Sequence, residues 1–187
     1  MRIISGQYRG LHLADVGEGD PAAHLRPTTD RVRESMFNLL VNAGRGDPIR
    51  GSRVLDLFAG TGSLGLEALS RGATRVAFVD DGTVARALLR KNIEKMRAMG
   101  VTDVWRRDAT KLGLNRGPGF DLIFLDPPYG MGLGEKAIAS CLAGGWLAPN
   151  AMIVWEESTA PLAPAGFEML DQRRYGDTIV TLLKAPQ

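Results

Sequence analysis

From Arg53 onward five short apolar runs punctuate the chain: Val54-Leu-Asp-Leu-Phe58, Val76-Ala-Phe-Val79, Val101 to Trp105, Leu122-Ile-Phe-Leu125 and Met152-Ile-Val-Trp155. Each has the length and the β-branched or aromatic content of a buried strand. The stretches 63–71, 83–99 and 135–142 between them read as helices. This alternation leaves few architectures open. Strands joined by crossover helices lie parallel, and a parallel sheet is covered by helices on both faces. The end of the chain departs from the pattern. Residues 168–174 and 178–183 flank Tyr175-Gly176-Asp177, a turn signal that closes a hairpin. The predicted fold class is therefore α/β, a doubly wound, mostly parallel, Rossmann-like sheet with an antiparallel C-terminal hairpin.

Ahead of the sheet, residues 2–13 hold two alternating runs around Gly6 to Gly10, which predict a small N-terminal β-hairpin. Residues 14–25 read as a loop. Thr28-Thr29-Asp30 supplies cap residues for a helix whose apolar positions are Val32, Met36, Leu39 and Leu40. A turn follows over 44–51. A chain of 187 residues suits one domain, with 1–25 as an extension and 26–187 as the core.

The lone Cys141 excludes an internal disulfide and fits a reducing compartment. No apolar stretch approaches the ~20 residues of a membrane span. Nor does an apolar run follow Met1-Arg-Ile-Ile-Ser-Gly, so a cytoplasmic protein is expected. One cysteine with the separated His12 and His24 makes no zinc-ligand pattern, and no metal is expected. Both histidines read as loop residues. Trp105, Trp146 and Trp155 lie on or beside strands and read as packing. Net charge is +2, yet residues 86–107 carry seven basic side chains against two acids. The N-terminal segment adds Arg2, Arg9, Arg26, Arg31 and Arg33. Arginine forks bind phosphates bidentately, so an anionic polymer is a candidate partner; a solvated helix face is the plainer alternative.

The first strand runs into Gly60-Thr61-Gly62-Ser63-Leu64-Gly65, a G-x-G-x-x-G with a strand before it and a helix after it. Such a loop brings a ligand close to the backbone beside a helix N-terminus. A dinucleotide and S-adenosylmethionine compete for it. Asp56 favours the second. A pyrophosphate about 4 Å from a carboxylate is repelled by about 4 kcal/mol under surface-like screening, whereas a sulfonium and an ammonium are attracted. Asp80, which ends the second strand, is placed for ribose hydroxyls; Asp81 beside it points the other way. Asp108 at the third strand's end could accept from an adenine amine, with Ala109 leaving room for the ring.

The fourth strand ends in Asp126-Pro127-Pro128-Tyr129-Gly130. Neither proline can donate to a ladder, so the chain leaves the sheet in a rigid, extended form. A carboxylate and a proline carbonyl can both accept from the exocyclic amine of a base, drawing it toward tetrahedral geometry and localising its lone pair. The fixed carbonyl direction is preorganisation. Tyr129 can stack on the ring of a flipped base. All these strand ends share one edge of the sheet.

Asp56 to Ala73 together with Asp126-Pro-Pro-Tyr129 resembles the class I S-adenosylmethionine-dependent amino-methyltransferases. With Arg2-Ile-Ile-Ser-Gly-Gln-Tyr-Arg-Gly10 and Leu25-Arg-Pro-Thr-Thr-Asp-Arg-Val-Arg-Glu-Ser-Met-Phe-Asn38, the chain resembles the RsmD family over nearly its whole length. That resemblance implies methyl transfer to the N2 amine of a guanine in 16S rRNA, in the small ribosomal subunit or an assembly intermediate, by a monomer. It implies cofactor contacts from Asp56, Phe58, Ala59, Gly60, Thr61, Gly62, Asp80, Asp108 and Ala109. Asp126, Pro127, Pro128 and Tyr129 would hold the target base. Tyr8, Arg9, Arg26, Thr28, Arg31 and Arg33 would contact RNA, the 26–33 segment closing over cofactor and target. An adenine in DNA, another RNA, or a glutamine amide in a protein is the alternative acceptor. An NAD-dependent oxidoreductase would need a hydride-handling centre that the two early histidines do not offer.

Overall fold

The computed structural model describes residues 1–15, 29–42 and 46–187. Along the chain come α1 (Asp30–Asn42), β1 (Arg53–Leu57), α2 (Ser63–Ser70), β2 (Arg75–Val79), α3 (Thr83–Lys95) and β3 (Thr102–Trp105). Then follow β4 (Phe120–Leu125), α4 (Leu133–Ala143), β5 (Leu147–Glu157), β6 (Glu168–Tyr175) and β7 (Thr178–Lys184). The strands form one sheet in the order β3-β2-β1-β4-β5-β7-β6. The first five are mutually parallel, and β7 runs antiparallel between β5 and β6. This is the expected doubly wound sheet with its antiparallel end.

Strand alternation divides the core into two layers. Val54, Val76, Phe78, Leu122 and Phe124 face α1, α2 and α3. Leu55, Leu57, Ala77, Ile123 and Leu125 face the other way, toward α4. Because both faces are covered, the strands read as continuous apolar runs, which is why they were legible. Their edges differ in detail. Val101 closes a 3-10 turn ahead of β3. The long third helix stops at Lys95, because Arg97 takes a φ of 51° that no glycine announces. β5 begins five residues before Met152, with Leu147 paired to Phe120 across a register shift. Pro149 and Asn150, whose φ is 60°, hid that stretch.

The N-terminal hairpin is present but short: the Ile3 N–H donates to the Leu11 carbonyl, that of Gly10 to the Ile3 carbonyl and that of Leu13 to the Met1 carbonyl, around one antiparallel bridge, Arg2 with His12. Its other N–H groups reach α2: Ile4 and Ser5 donate to the Glu67 carboxylate, Gln7 to the Ser70 carbonyl and Tyr8 to Ser70 Oγ. Gly6 makes this approach possible, since with φ of 83° a Cβ there would lie 1.9 Å from the Ser70 carbonyl oxygen. Farther along, Asn92 of α3 receives the Ala14 N–H and donates to the carbonyls of Ala14 and Thr61. The segment is thus stitched to α2 and α3 as well as to itself.

Thr29 caps α1, its Oγ1 accepting from the Val32 N–H. The buried face of α1 is Arg33, Met36, Phe37 and Leu40. Val32 and Leu39 are only half-buried, because the Arg33 and Phe37 side chains take the inner positions. The expected loop over 16–25, and the residues Arg26 and Thr28, lie outside the described residues. Residues 47–51 make a turn, with Asp47 Oδ1 accepting from the N–H groups of Ile49 and Arg50.

Candidate active site

β1 delivers the chain into the glycine loop through backbone few residues adopt. Phe58, Gly60 and Gly62 have φ of 59°, 56° and 82°. A non-glycine residue such as Phe58 in the left-handed region is strained, and strain of this kind gathers at functional sites. Neighbouring elements hold the loop there. The Ala59 N–H donates to the Val79 carbonyl at 3.1 Å, and the Gly62 N–H to the Ala59 carbonyl at 2.7 Å. Gly62 carries no Cβ because one would lie 2.3 Å from Leu89 Cδ1.

Two carboxylates complete the corner. Asp80 spans it: Oδ2 accepts from the Gly60 N–H at 2.8 Å and Oδ1 from the Gly82 N–H at 2.7 Å. Burial raises its pKa, against the pull of these two bonds. Asp81 is exposed, so Asp80 is the acid turned to the loop. Asp56 lies one layer deeper. It is fully buried, and Oδ2 accepts from the Gly65 N–H of α2 at 2.9 Å. Burial pushes its pKa up to about 8, the Gly65 bond opposing and Asp80 adding to the rise. In this structure Asp56 grips the helix start from beneath the loop. At the third strand, exposed Asp108 accepts from the N–H and hydroxyl of Thr110, bonds that lower its pKa, and Ala109 is buried.

The β4 end forms the adjoining corner, since β1 and β4 pair in register through Leu57 and Leu125. Pro127 is buried, while Asp126, Pro128 and Tyr129 are half-buried. The Tyr129 hydroxyl donates to Glu156 Oε1 at 2.6 Å and shares a 3.2 Å hydrogen bond with Thr178 Oγ1. Burial first, then the Glu156 carboxylate, raises the Tyr129 pKa above its ordinary value, so the phenol stays neutral. The Gly130 N–H donates to Glu157 Oε1. Glu156, Glu157 and Thr178 were not foreseen. The two glutamates had a signal: adjacent acids closing an apolar strand, as in Val79-Asp80-Asp81. Thr178 had none.

The proposed RNA-facing residues divide. Arg9 and Arg31 are exposed, whereas Tyr8 is half-buried against the first apolar cluster. Arg33 corrects its expectation. Its side chain is wholly buried, donating to the Arg2 carbonyl and to Asp30 Oδ1, and burial lowers its pKa. Glu67 and Arg71 also act on its charge, so its side chain joins α1 to the N-terminal segment and α2. Along α3, Arg90, Lys91, Lys95 and Arg97 are exposed, but Arg86 turns inward to the Asp80 carbonyl. Among the described residues no group of three or more His, Cys, Asp or Glu could hold a metal ion. Nor is any helix there long and apolar enough to cross a membrane.

A Rossmann-like sheet with a strained glycine loop after β1, an acid after β2 and a D-P-P-Y turn after β4 defines a class I methyltransferase fold. Solved structures from Escherichia coli and Haemophilus influenzae superpose with TM-scores of 0.83 and 0.78 at 35% and 33% identity, covering this whole chain and 99% and 98% of theirs. The family model described as Conserved hypothetical protein 95 matches residues 1–184, and the chain belongs to that family, the RsmD family. Curated relatives include Ribosomal RNA small subunit methyltransferase D of Haemophilus influenzae, 41% identical over 94% of this chain and 89% of the relative. The Escherichia coli K12 protein of the same name is 37% identical over 97% and 88%.

Proposed function

We propose that the chain transfers a methyl group from S-adenosylmethionine to the N2 amine of a guanine in 16S rRNA of the small ribosomal subunit. The observation that carries this reading is the adjacency of two corners on neighbouring strands β1 and β4: a glycine loop with acids, and Asp126-Pro127-Pro128-Tyr129. The names of the relatives support rRNA as the substrate. The donor set fits the cofactor: the Asp80 carboxylate and main-chain groups suit an ammonium and ribose hydroxyls, while Asp80 would repel a pyrophosphate.

When bound, S-adenosylmethionine supplies an electrophilic methyl carbon. The chain's own residues do the rest. Asp80 is the candidate for the ribose, Asp108 and Ala109 for the adenine, and the 58–62 loop for the methionine part. Asp126 and the Pro127 carbonyl accept the two amine hydrogens, turning the nitrogen lone pair toward the methyl carbon. As the C–N bond forms and the C–S bond breaks, the amine proton passes to Asp126 or to water. Neutral Tyr129 offers its ring to the guanine and takes no proton.

The test is label transfer from methyl-tritiated S-adenosylmethionine to small subunits lacking their native modifications, with protein-free 16S rRNA and duplex DNA in parallel. Label in N2-methylguanosine is expected. Label in N6-methyladenine, or none in RNA despite cofactor binding, overturns the acceptor assignment.

A further inference from the structure

The sheet's second face carries a feature that the methyl-transfer site does not use. Between β3 and β4 the crossover holds only a 3-10 turn, Ala109–Lys111, and no longer helix. The face beside β3 is therefore open, and a cavity of about 840 Å³ lies there. Arg53, Arg75, Arg107 and Arg116 line it, against a single carboxylate, Asp103. Arg53 and Arg75 are the first residues of β1 and β2. They stand at the edge opposite the glycine loop, about 13 Å away along a five-residue strand.

The arginines are held in place, not dangling. The Arg53 guanidinium lies 5.2 Å from the Phe120 ring centroid, and that of Arg107 lies 5.8 Å from both Trp105 and Trp146. Arg107 Nη1 also donates to the Leu112 carbonyl at 2.7 Å. The Arg116 loop is pinned on both sides. Trp146 Nε1 donates to the Gly113 carbonyl, and Asn115 Nδ2 to the carbonyls of Gly117, Pro118 and Gly145. Arg75 forks onto Asp103 Oδ2, and so neutralises the one acid in the lining. Arg53 Nε, by contrast, is buried with no hydrogen-bond partner.

The lining also says what kind of anion fits. Phe120 and Trp146 are buried, and the guanidiniums stack on the aromatic rings. A partner meets four guanidiniums beside apolar surface that includes exposed Leu114. The guanidiniums suit a sugar–phosphate backbone, because arginine forks match phosphate oxygens bidentately and preorganised guanidiniums lose little freedom on binding. We infer that this groove is a second rRNA-contacting surface, which takes phosphates of a strand outside the target nucleotide. The inference rests on the rRNA reading above. It gives a small domain a grip on its substrate away from the reacting edge, where Arg107 adjoins Asp108.

The experiment compares the parent with Arg116→Gln and with Arg75→Gln/Arg116→Gln, after confirming unchanged thermal unfolding. Binding to unmodified protein-free 16S rRNA is measured from low to moderate salt, and methyl transfer is measured against rRNA concentration. Each lost phosphate contact should flatten the slope of log affinity against log salt by about 0.7 for single-stranded RNA, so by about 1.4 for the double variant. KM for rRNA should rise about tenfold in the double variant, with kcat and cofactor affinity unchanged. Unchanged slope and KM overturn the inference. A KM rise only on assembled subunits, with the protein-free slope unchanged, also overturns it and assigns the groove to a protein partner. Absence of rRNA methylation by the parent is a different outcome, and it defeats the acceptor reading; the slope comparison still decides the groove. Arg116 is exposed on its loop, so its single variant keeps the test intact if the double variant unfolds.

Discussion

At the β1–β2 corner, carboxylates gather main-chain N–H groups: Asp80 takes those of Gly60 and Gly82, and Asp56 takes that of Gly65. At the β4–β5 corner the order is reversed. There a loop side chain, Tyr129, reaches out to Glu156 and Thr178, and only Gly130 is held by its main chain. The first corner is made from residues close in sequence on consecutive β-α units. The second needs β5 and the returning β7. A corner built on main-chain bonds tolerates side-chain change outside its few acids. One built on side chains depends on each of them.

The largest effect should fall on the second corner. Asp126→Ala is expected to lower methyl transfer by at least about 10³-fold while cofactor affinity, read by isothermal titration, stays within about twofold. Unchanged turnover would remove Asp126 from the chemistry. Next comes Tyr129. Tyr129→Ala should cost about 10- to 100-fold in transfer, the worth of one base–aromatic stack. Tyr129→Phe keeps the ring and loses the bonds to Glu156 and Thr178, so it should lose only about 1 kcal/mol of stability in urea unfolding, with transfer within about threefold. Equal kinetic damage from both variants would mean that the hydroxyl, not the ring, is what the corner needs.

The contrast between the corners also explains what was legible. The glycine loop, Asp80 and the D-P-P-Y turn could be read because local backbone demands wrote them into short stretches: glycines where φ is positive, prolines where a ladder ends. Helix and strand types followed from period alone. Arg33 misled, because charge on a helix suggests solvent, whereas its guanidinium turns inward to the Arg2 carbonyl and Asp30. The hairpin was legible, but its anchoring was not. Alternation marks paired extended arms, yet it does not say that the remaining N–H groups go to Glu67, Ser70 and Asn92. The Glu156–Tyr129–Thr178 contact spans 49 residues between its outer members, and no local pattern encodes it.

The last effect belongs to the first corner, leaves the chemistry alone and is read in pH. Burial raises the folded pKa of Asp56 to about 8 from its ordinary value of 3.8. The folded state thus holds a proton that the unfolded chain has released. Its contribution to stability is fully present below pH 4 and is lost as pH rises toward 8, by at most about 1.4 kcal/mol per pH unit. Asp56→Asn keeps an acceptor for Gly65 and cannot ionise. Denaturant unfolding from pH 5 to pH 8 should therefore show the variant gaining on the parent as pH rises. Parallel curves would mean that Asp56 is already ionised in the fold and belongs with the charged groups of the site.

The position of β7 has a meaning in time as well as in space. Because β7 lies between β5 and β6, the sheet is a record of the order in which a growing chain can close it. When Leu125 has left the ribosome, β1, β2, β3 and β4 have each other as partners, and the half that carries the glycine loop can settle. Tyr129 must wait another 49 residues for Thr178. A growing chain therefore has the strands of the first corner before it has those of the second, which separates the assembly of the two corners in time.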